Sequence, residues 1–525
     1  MNRRNFIKTS SSVITLPLLL NGFHINLYGK DTFWGDVAKL LSATNKKLVL
    51  IQMGGGNDGL NTVIPLDQYD TYFSYRQNIA IPENKVLRLT DAIGIHPAMT
   101  GIKELYDNQK LALVNAVSYP NPNLSHFRAT DIWTTGSSYD QYLRDGWLGR
   151  YLQNSDPNYP NNISEGSHPL AIQIGGIVSK TLQGDKIPMG VAVSSPQSFY
   201  NIMHSTEFIE FNQAPNNQYG NELEFLRNVH RSSFLYSTVV RDSFDKAKNQ
   251  VEYPASNSLA TQLSTVARLI GGGLTTNIYI VTIGSFDTHS NQTDSADTTI
   301  GNHASLLSKL SSAMQSFQND LNLLGVEDDV ITMTFTEFGR RAKSNGSRGT
   351  DHGTATPLFV MGSSVNPLIF GSNPDLNDLE TGILKDNIKR QFDFRQIYAS
   401  IFAQWFGVSK DLIAELLYGE FDQIDLIKKT GIQAPNNELN ILNFQVYPNP
   451  LMVSSEVRYF LPENSNVSIK LYNLQGREYK TLINTYQPAG KYAVSLNVQN
   501  IPSGDYFLQL NTKNHKATQK IIIAK

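Results

Sequence analysis

The sequence predicts an α/β domain, a mostly parallel sheet with helices on both faces, followed by a small C-terminal all-β sandwich. Apolar runs of strand length alternate with helical patterns between residues 46 and 407. Those runs, such as KKLVLIQM and LALVNAVS, are almost continuously apolar, as in strands buried on both faces. After about residue 427 the texture changes to short alternating strands separated by turn residues, a pattern suited to a sandwich.

Taken in order, the chain opens on Met1-Asn2-Arg3-Arg4-Asn5-Phe6-Ile7-Lys8 and a weakly apolar run from Ser11 to Leu20. Paired arginines before a short hydrophobic stretch form the twin-arginine export pattern, read here over residues 1–29. The run holds Pro17 and falls well short of the roughly 20 residues that span a bilayer. No other segment reaches that length, so no stable transmembrane segment is expected. Residues 30–427 form the main domain, 428–442 a linker and 443–525 the sandwich.

Within the main domain, strands are expected at 48–53, 111–118, 277–283, 329–335 and 357–361. Helices are expected over 98–108, 126–133, 257–271, 302–324 and 394–406. The stretch from 155 to 255 is rich in Asn, Ser, Pro and Tyr and reads as an irregular insertion or cap.

Composition narrows the chemistry. Forty per cent hydrophobic residues suffice for a real core, and a net charge of -2 points to neither nucleic acid nor an acidic membrane face. Cysteine is absent, so an exported chain has no disulfides. Any metal site must then use His, Asp, Glu, Asn and backbone oxygens.

Four polar clusters follow apolar strands. The first, Gly54-Gly55-Gly56-Asn57-Asp58-Gly59, lets the backbone approach closely and projects Asp58 from a strand end. It lacks the G-x-G-x-x-G opening of a dinucleotide site, and the residues after Asp58 do not read as a helix start. The second, Asn123 to Arg128, puts Ser125 at a helix N-cap, where it can cap or act as a nucleophile on an anionic ester. His126 beside it can be a ligand, a base or a surface residue. In the third, Asp287 and His289 are spaced to chelate one ion. The fourth pairs Glu337 with a Gly-flanked His352, and Arg340 and Arg341 between them can bind a phosphate or sulfate or pair with an acid. Asp58, Asp287, His289, Glu337 and His352 together suggest O/N metal ligands at the carboxyl edge of the sheet.

LVLIQMGGGNDGLNTVIP, LSHFRATDIWTTG, FDTHSNQ, TEFGRRAKSNGSRGTDHGTA and DFRQIYASIFAQWFG resemble, in this order, domain of unknown function 1501 over most of 46–407. That family looks related to the alkaline phosphatase and sulfatase superfamily. The resemblance implies an alkaline phosphatase-like fold and a metal-dependent hydrolase of phosphate or sulfate esters. It also implies Asp58, Asp287, His289, Glu337 and His352 as ligands of a divalent ion (zinc, calcium or magnesium). Ser125 matches the nucleophile position, with Arg128 or Arg340 on the ester oxygens. The chain departs from the superfamily at Glu337-Phe338, where an Asp-His or Asp-Asn pair is common, and in the spacing of Asp287 and His289. A non-catalytic surface binding or assembly protein that keeps the fold is the alternative.

The C-terminal segments YPNP, VSIKLYNLQGREYKTL, PAGKYAVSLNVQNIPSGDYFLQL and TQKIIIAK resemble the type A sorting domain of the type IX secretion system. The expected partners are therefore the twin-arginine translocase, the type IX machinery and a small anionic ester or a sulfated or phosphorylated glycan. The expected destination is the cell surface or the medium.

Overall fold

The structure, a computed structural model, describes residues 16–20, 23–27, 45–205, 215, 217–428, 442, 444–447, 451, 454–473, 478–513 and 516–523. The Arg3-Arg4 pair, nearly all of the 428–442 linker, and residues 448–450 of the YPNP opening lie outside the described residues. The chain divides into two compact units, Ala43–Lys428 and a second made of Met1–Ser42 with Lys429–Lys525. Near the N-terminus, Leu16–Leu20 pairs antiparallel with Phe23–Leu27.

The large unit is built on nine strands: β1 (Lys47–Met53), β2 (Leu111–Ser118), β3 (Ala171–Ile174), β4 (Val191–Val193), β5 (Ile278–Ile283), β6 (Val330–Phe335), β7 (Thr356–Met361), β8 (Ile369–Phe370) and β9 (Phe392–Asp393). Their spatial order is β8-β2-β7-β6-β1-β5-β3-β4, with β9 also paired to β2. Only β7 runs antiparallel to its neighbours, β6 and β2. Consequently β1, β2, β5 and β6 all end at the sheet edge where β7 begins.

Alternation along the strands explains the two-sided cover. On β1, Val49, Ile51 and Met53 join one core with α1 (Thr100–Asp107), α4 (Ser258–Gly271) and α5 (Asn302–Leu323). Leu48 and Leu50 face a second core with α2 (His126–Thr135), α3 (Trp147–Ser155) and α6 (Phe394–Ser400). Each such fully buried aliphatic side chain contributes roughly 1.5–3 kcal/mol. The second core is anchored by aromatics: Trp147 stacks on Tyr398 at 3.9 Å, and the Tyr398 hydroxyl donates to the Trp133 carbonyl at 2.9 Å. Local sequence sets the helix starts. The Asn257 side chain accepts from the Leu259 and Ala260 amides, and Asp393 with Gln396 forms a capping box.

Three expectations need correction. The 155–255 stretch is not irregular: it supplies β3, β4 and a 29-residue helix, Gln218–Lys246. AIQI and VAV are too short to stand out by periodicity, and the polar residues of the long helix mask its apolar stripe. The helix expected over 394–406 ends its regular part at Ser400 and continues as a π-helical turn, Ile401–Trp405. A single helical turn, Gly59–Thr62, does follow Asp58, although no longer helix opens there.

The C-terminal residues form two antiparallel sheets. One contains Gln445–Tyr447, Ser454–Leu461 and Gly490–Asn497; the other contains Glu478–Gln487, Ser465–Asn473, Gly504–Asn511 and Lys516–Ile523. Val457, Tyr459 and Leu461 of the first share a core with Val467, Ile469, Leu508 and Leu510 of the second. The two P-x-G-x-Y segments have one structural cause. In each, glycine takes positive φ (Gly490 at 154°, Gly504 at 149°), and the tyrosine hydroxyl donates to the proline carbonyl four residues back (Tyr492 to Pro488, Tyr506 to Pro502).

Candidate metal centre

The shared edge of the large sheet gathers residues from four loops. After β5, the buried ring of Phe286 anchors the turn that presents Asp287, and the Phe286 amide donates to the Gly54 carbonyl at 3.1 Å. Gly55 makes this approach possible: its φ is +121°, and a Cβ there would lie 2.4 Å from the Asp287 nitrogen. After β6, Arg340 pairs with His352 through an isolated antiparallel bridge, which sets His352 beside the Asp287 loop. After β2, the chain enters α2 with His126 as its first residue.

The hydrogen bonds orient the imidazoles. His126 Nδ1 lies 2.8 Å from Glu337 Oε1, and this buried carboxylate also accepts from the Gly55 amide at 2.9 Å and the Thr336 hydroxyl at 3.1 Å. His352 Nδ1 lies 2.8 Å from the Leu124 carbonyl. Both partners are acceptors, so each Nδ1 donates a proton, and in that tautomer each ring turns Nε2 inward, free to ligate. His126 Nε2 then stands 3.4 Å from Asp287 Oδ2, and His352 Nε2 stands 3.2 Å from Asp287 Oδ1. His289 Nε2 completes the group, 3.1 Å from Asp287 Oδ1 and 2.9 Å from His352 Nε2. The site is open to solvent: His126, Asp287, His289 and His352 side chains are 34, 44, 45 and 24% exposed.

Lone pairs of two imidazoles facing one carboxylate repel unless a proton or a cation lies between them. One ligand atom from each of His126, Asp287 and His352 lies within 4.8 Å of the others, a spacing that one ion can bridge. Two nitrogens and a carboxylate oxygen suit a borderline divalent ion such as zinc, with further positions left to His289 or solvent. Glu337 and the Leu124 carbonyl have the geometry of outer partners that hold metal-binding histidines in one tautomer. Burial lowers the His352 pKa from its ordinary value, which keeps the ring neutral. At Asp287, burial pushes the pKa up, but the Arg340 guanidinium together with His289 and His352 outweighs it, so the carboxyl is held below its ordinary value.

The structure therefore brings together His126, Asp287, His289, His352 and, one layer behind, Glu337. Asp58 is not among them. It is fully buried, with both oxygens on Arg76 Nη1 at 2.8 and 2.7 Å and Oδ2 also accepting from Gln292 at 2.6 Å. Ser125 is exposed at the N-cap of α2 and makes no side-chain cap bond. Neither arginine is free for an ester. Arg128 pairs with Asp131, donates to the carbonyls of Ser138, Tyr139 and Gln141, and stacks on Tyr142 at 3.9 Å. Arg340 is buried, donating to the carbonyls of Gly56 at 2.7 Å and Thr350 at 2.9 Å and to Asp287 at 2.5 Å. Sequence reasoning missed Arg76, a lone arginine after a short helix, which has no distinguishing spacing.

Comparison with known proteins gives two family matches. Residues 241–416 match the family described as "Protein of unknown function (DUF1501)", a narrower span than the motifs over 46–407. Residues 445–524 match "Secretion system C-terminal sorting domain". No curated protein matches the chain. Among solved structures, a Vibrio parahaemolyticus protein in the alkaline phosphatase superfamily is 11% identical over 92% of each chain, with a TM-score of 0.32. A sulfatase from Pseudoalteromonas sp. is 11% identical over 89% of this chain and 86% of that one, with a TM-score of 0.33. PorZ, a surface component of the type-IX secretion system of Porphyromonas gingivalis, is 16% identical over 19% of this chain and 14% of its own, with a TM-score of 0.13. Among the described residues no helix is long and apolar enough to cross a membrane. Residues 241–416 thus match that family of unknown function, and residues 445–524 match a secretion sorting domain, which indicates export to the cell surface or the medium.

Proposed function

We propose that the chain is a metal-dependent hydrolase of phosphate or sulfate esters that acts at the cell surface or outside the cell. The observation that carries this reading is the pair of inward Nε2 atoms, His126 and His352, aimed at Asp287 with their Nδ1 atoms tied to Glu337 and Leu124. A divalent ion held by these three residues would supply Lewis-acid stabilisation of charge on an ester oxygen. His289 is placed to join them. Ser125 lies between Leu124 and His126, both of which are bonded to the cluster, and it starts a helix whose N-terminus favours anions. Its exposed hydroxyl would give its proton to solvent and attack the phosphorus or sulfur. The bond to the substrate's alcohol would break and that alcohol leave with a proton, and water would then cleave the serine ester to release phosphate or sulfate. Arg340 acts on Asp287, which it orients and keeps ionised, rather than on the ester. Export by the twin-arginine route, with the translocase and then the type IX machinery as partners, would let the domain fold around its ion before crossing. A small anionic ester or a sulfated or phosphorylated glycan is the substrate class.

The test is turnover of a sulfate and phosphate ester panel by wild type, Asp287→Ala and His352→Ala. The expected loss is about 100-fold or more in each variant. Equal and negligible turnover in all three, with the proteins folded, would reject hydrolysis. One observation favours a second reading, a non-catalytic surface binding protein: Arg128 and Arg340, the arginines expected to hold the ester, are both engaged in structural bonds. Retention of a sulfated glycan by the wild type without turnover would select that reading.

A further inference from the structure

The fully buried Asp58 carboxylate requires a positive charge beside it, because an unpaired ion is costly away from water. Arg76, at the end of the helix Tyr69–Tyr75, supplies that charge. Its Nη1 donates to Asp58 Oδ1 at 2.8 Å, Asp58 Oδ2 at 2.7 Å and Asn61 Oδ1 at 3.0 Å. Its Nε donates to the Ala342 carbonyl at 2.7 Å, and its Nη2 to the Arg341 carbonyl at 2.8 Å. Every acceptor around the guanidinium is therefore an oxygen. Mixed carboxylate, amide and backbone carbonyl oxygens form the ligand set that hard divalent cations take. The Tyr72 hydroxyl fixes Asn61 Oδ1 at 2.8 Å and Gln292 fixes Asp58 at 2.6 Å, so the oxygens are held by more than Arg76 itself.

We propose that Arg76 fills an oxygen-lined cation site centred on Asp58, so the chain carries a tethered guanidinium where a hard divalent ion would otherwise bind. Asp58 then serves as the anchor of that guanidinium, joining the 58–61 turn to residues 341 and 342, just beyond the Arg340 that binds Asp287. The inference rests on the proposed function only in leaving ion binding to His126, Asp287 and His352.

The test uses the full-length purified protein with CaCl2 as the probe. Wild type and Asp58→Asn are expected to hold the same ion content, with no shift of Tm on adding CaCl2. Arg76→Ala is expected to gain a calcium-dependent rise of about 3 °C or more, as ion binding to the folded state requires. The double variant Arg76→Ala with Asp58→Asn should lose that rise. If Arg76→Ala does not fold alone, refolding that succeeds only with CaCl2 supports the proposal, and failure in both conditions overturns it. Loss of the resident ion in Asp58→Asn, or no calcium response in folded Arg76→Ala, also overturns it. A wild type with no ion at all would sink the hydrolase reading yet leave the Arg76→Ala response readable.

Discussion

His96 and His303 are a buried pair behind the glycine turn, with rings 6.3 Å apart. His303 Nε2 lies 3.0 Å from Asn57 Oδ1, and its Nδ1 has no hydrogen-bond partner among the described residues. Burial pushes His303 down to about 4, and burial with the neighbouring His303 pushes His96 down to about 3. In the unfolded chain both would take a proton near pH 6.5. Between pH 6.5 and about 4 the unfolded state therefore binds more protons than the folded one, and stability falls as the pH falls. The slope is up to about 1.4 kcal/mol per pH unit for each histidine. Urea unfolding at pH 7, 6 and 5 should show this decline, and His303→Gln should make it shallower. An unchanged slope in that variant would contradict the assignment. The motif around Arg340 suggests an ester clamp, but the five oxygens it reaches belong to the protein itself.

Among elements, the loops after β1, β5 and β6 fit together because glycines remove side chains where backbones meet. A Cβ on Gly55 would lie 2.4 Å from the Asp287 nitrogen, and one on Gly349 would lie 2.3 Å from the His289 carbonyl carbon. Gly55 also has a positive φ that an L-residue rarely adopts. Gly55→Ala should therefore displace the Asp287 loop and destabilise the domain by about 1–3 kcal/mol. Differential scanning calorimetry with an ion-binding titration checks this. Unchanged Tm and ion affinity would show that the loop contact does not matter. The Gly-rich turn was legible as a place of close approach, because three successive glycines after an apolar strand have few other uses. Which loop approaches it was not legible, since Asp287 lies more than two hundred residues further along the chain.

At the scale of the molecule, the parallel sheet and the two-sided cover were readable from KLVLIQM, LALVNAVS, IYIVTI and VITMTF, whose almost continuously apolar character fits burial on both faces. The polar residues that follow these strands could be placed at one edge because parallel strands end together. The direction of β7 could not be read, and it is this antiparallel strand that brings His352 to the same edge. The role of Asp58 was hidden for another reason: its partner Arg76 lies outside the motifs, eighteen residues after Asp58, and acts only through buried geometry. The sorting domain was legible because its P-x-G-x-Y segments are local devices, closed within four residues. Elemental analysis of the purified full-length protein beside Asp287→Ala and His352→Ala tests whether His126, Asp287 and His352 hold one divalent ion at this edge. About one ion per wild-type chain and its loss from both variants is the expected result; a wild type without bound ion, or variants that keep it, would show that these residues do not form the site.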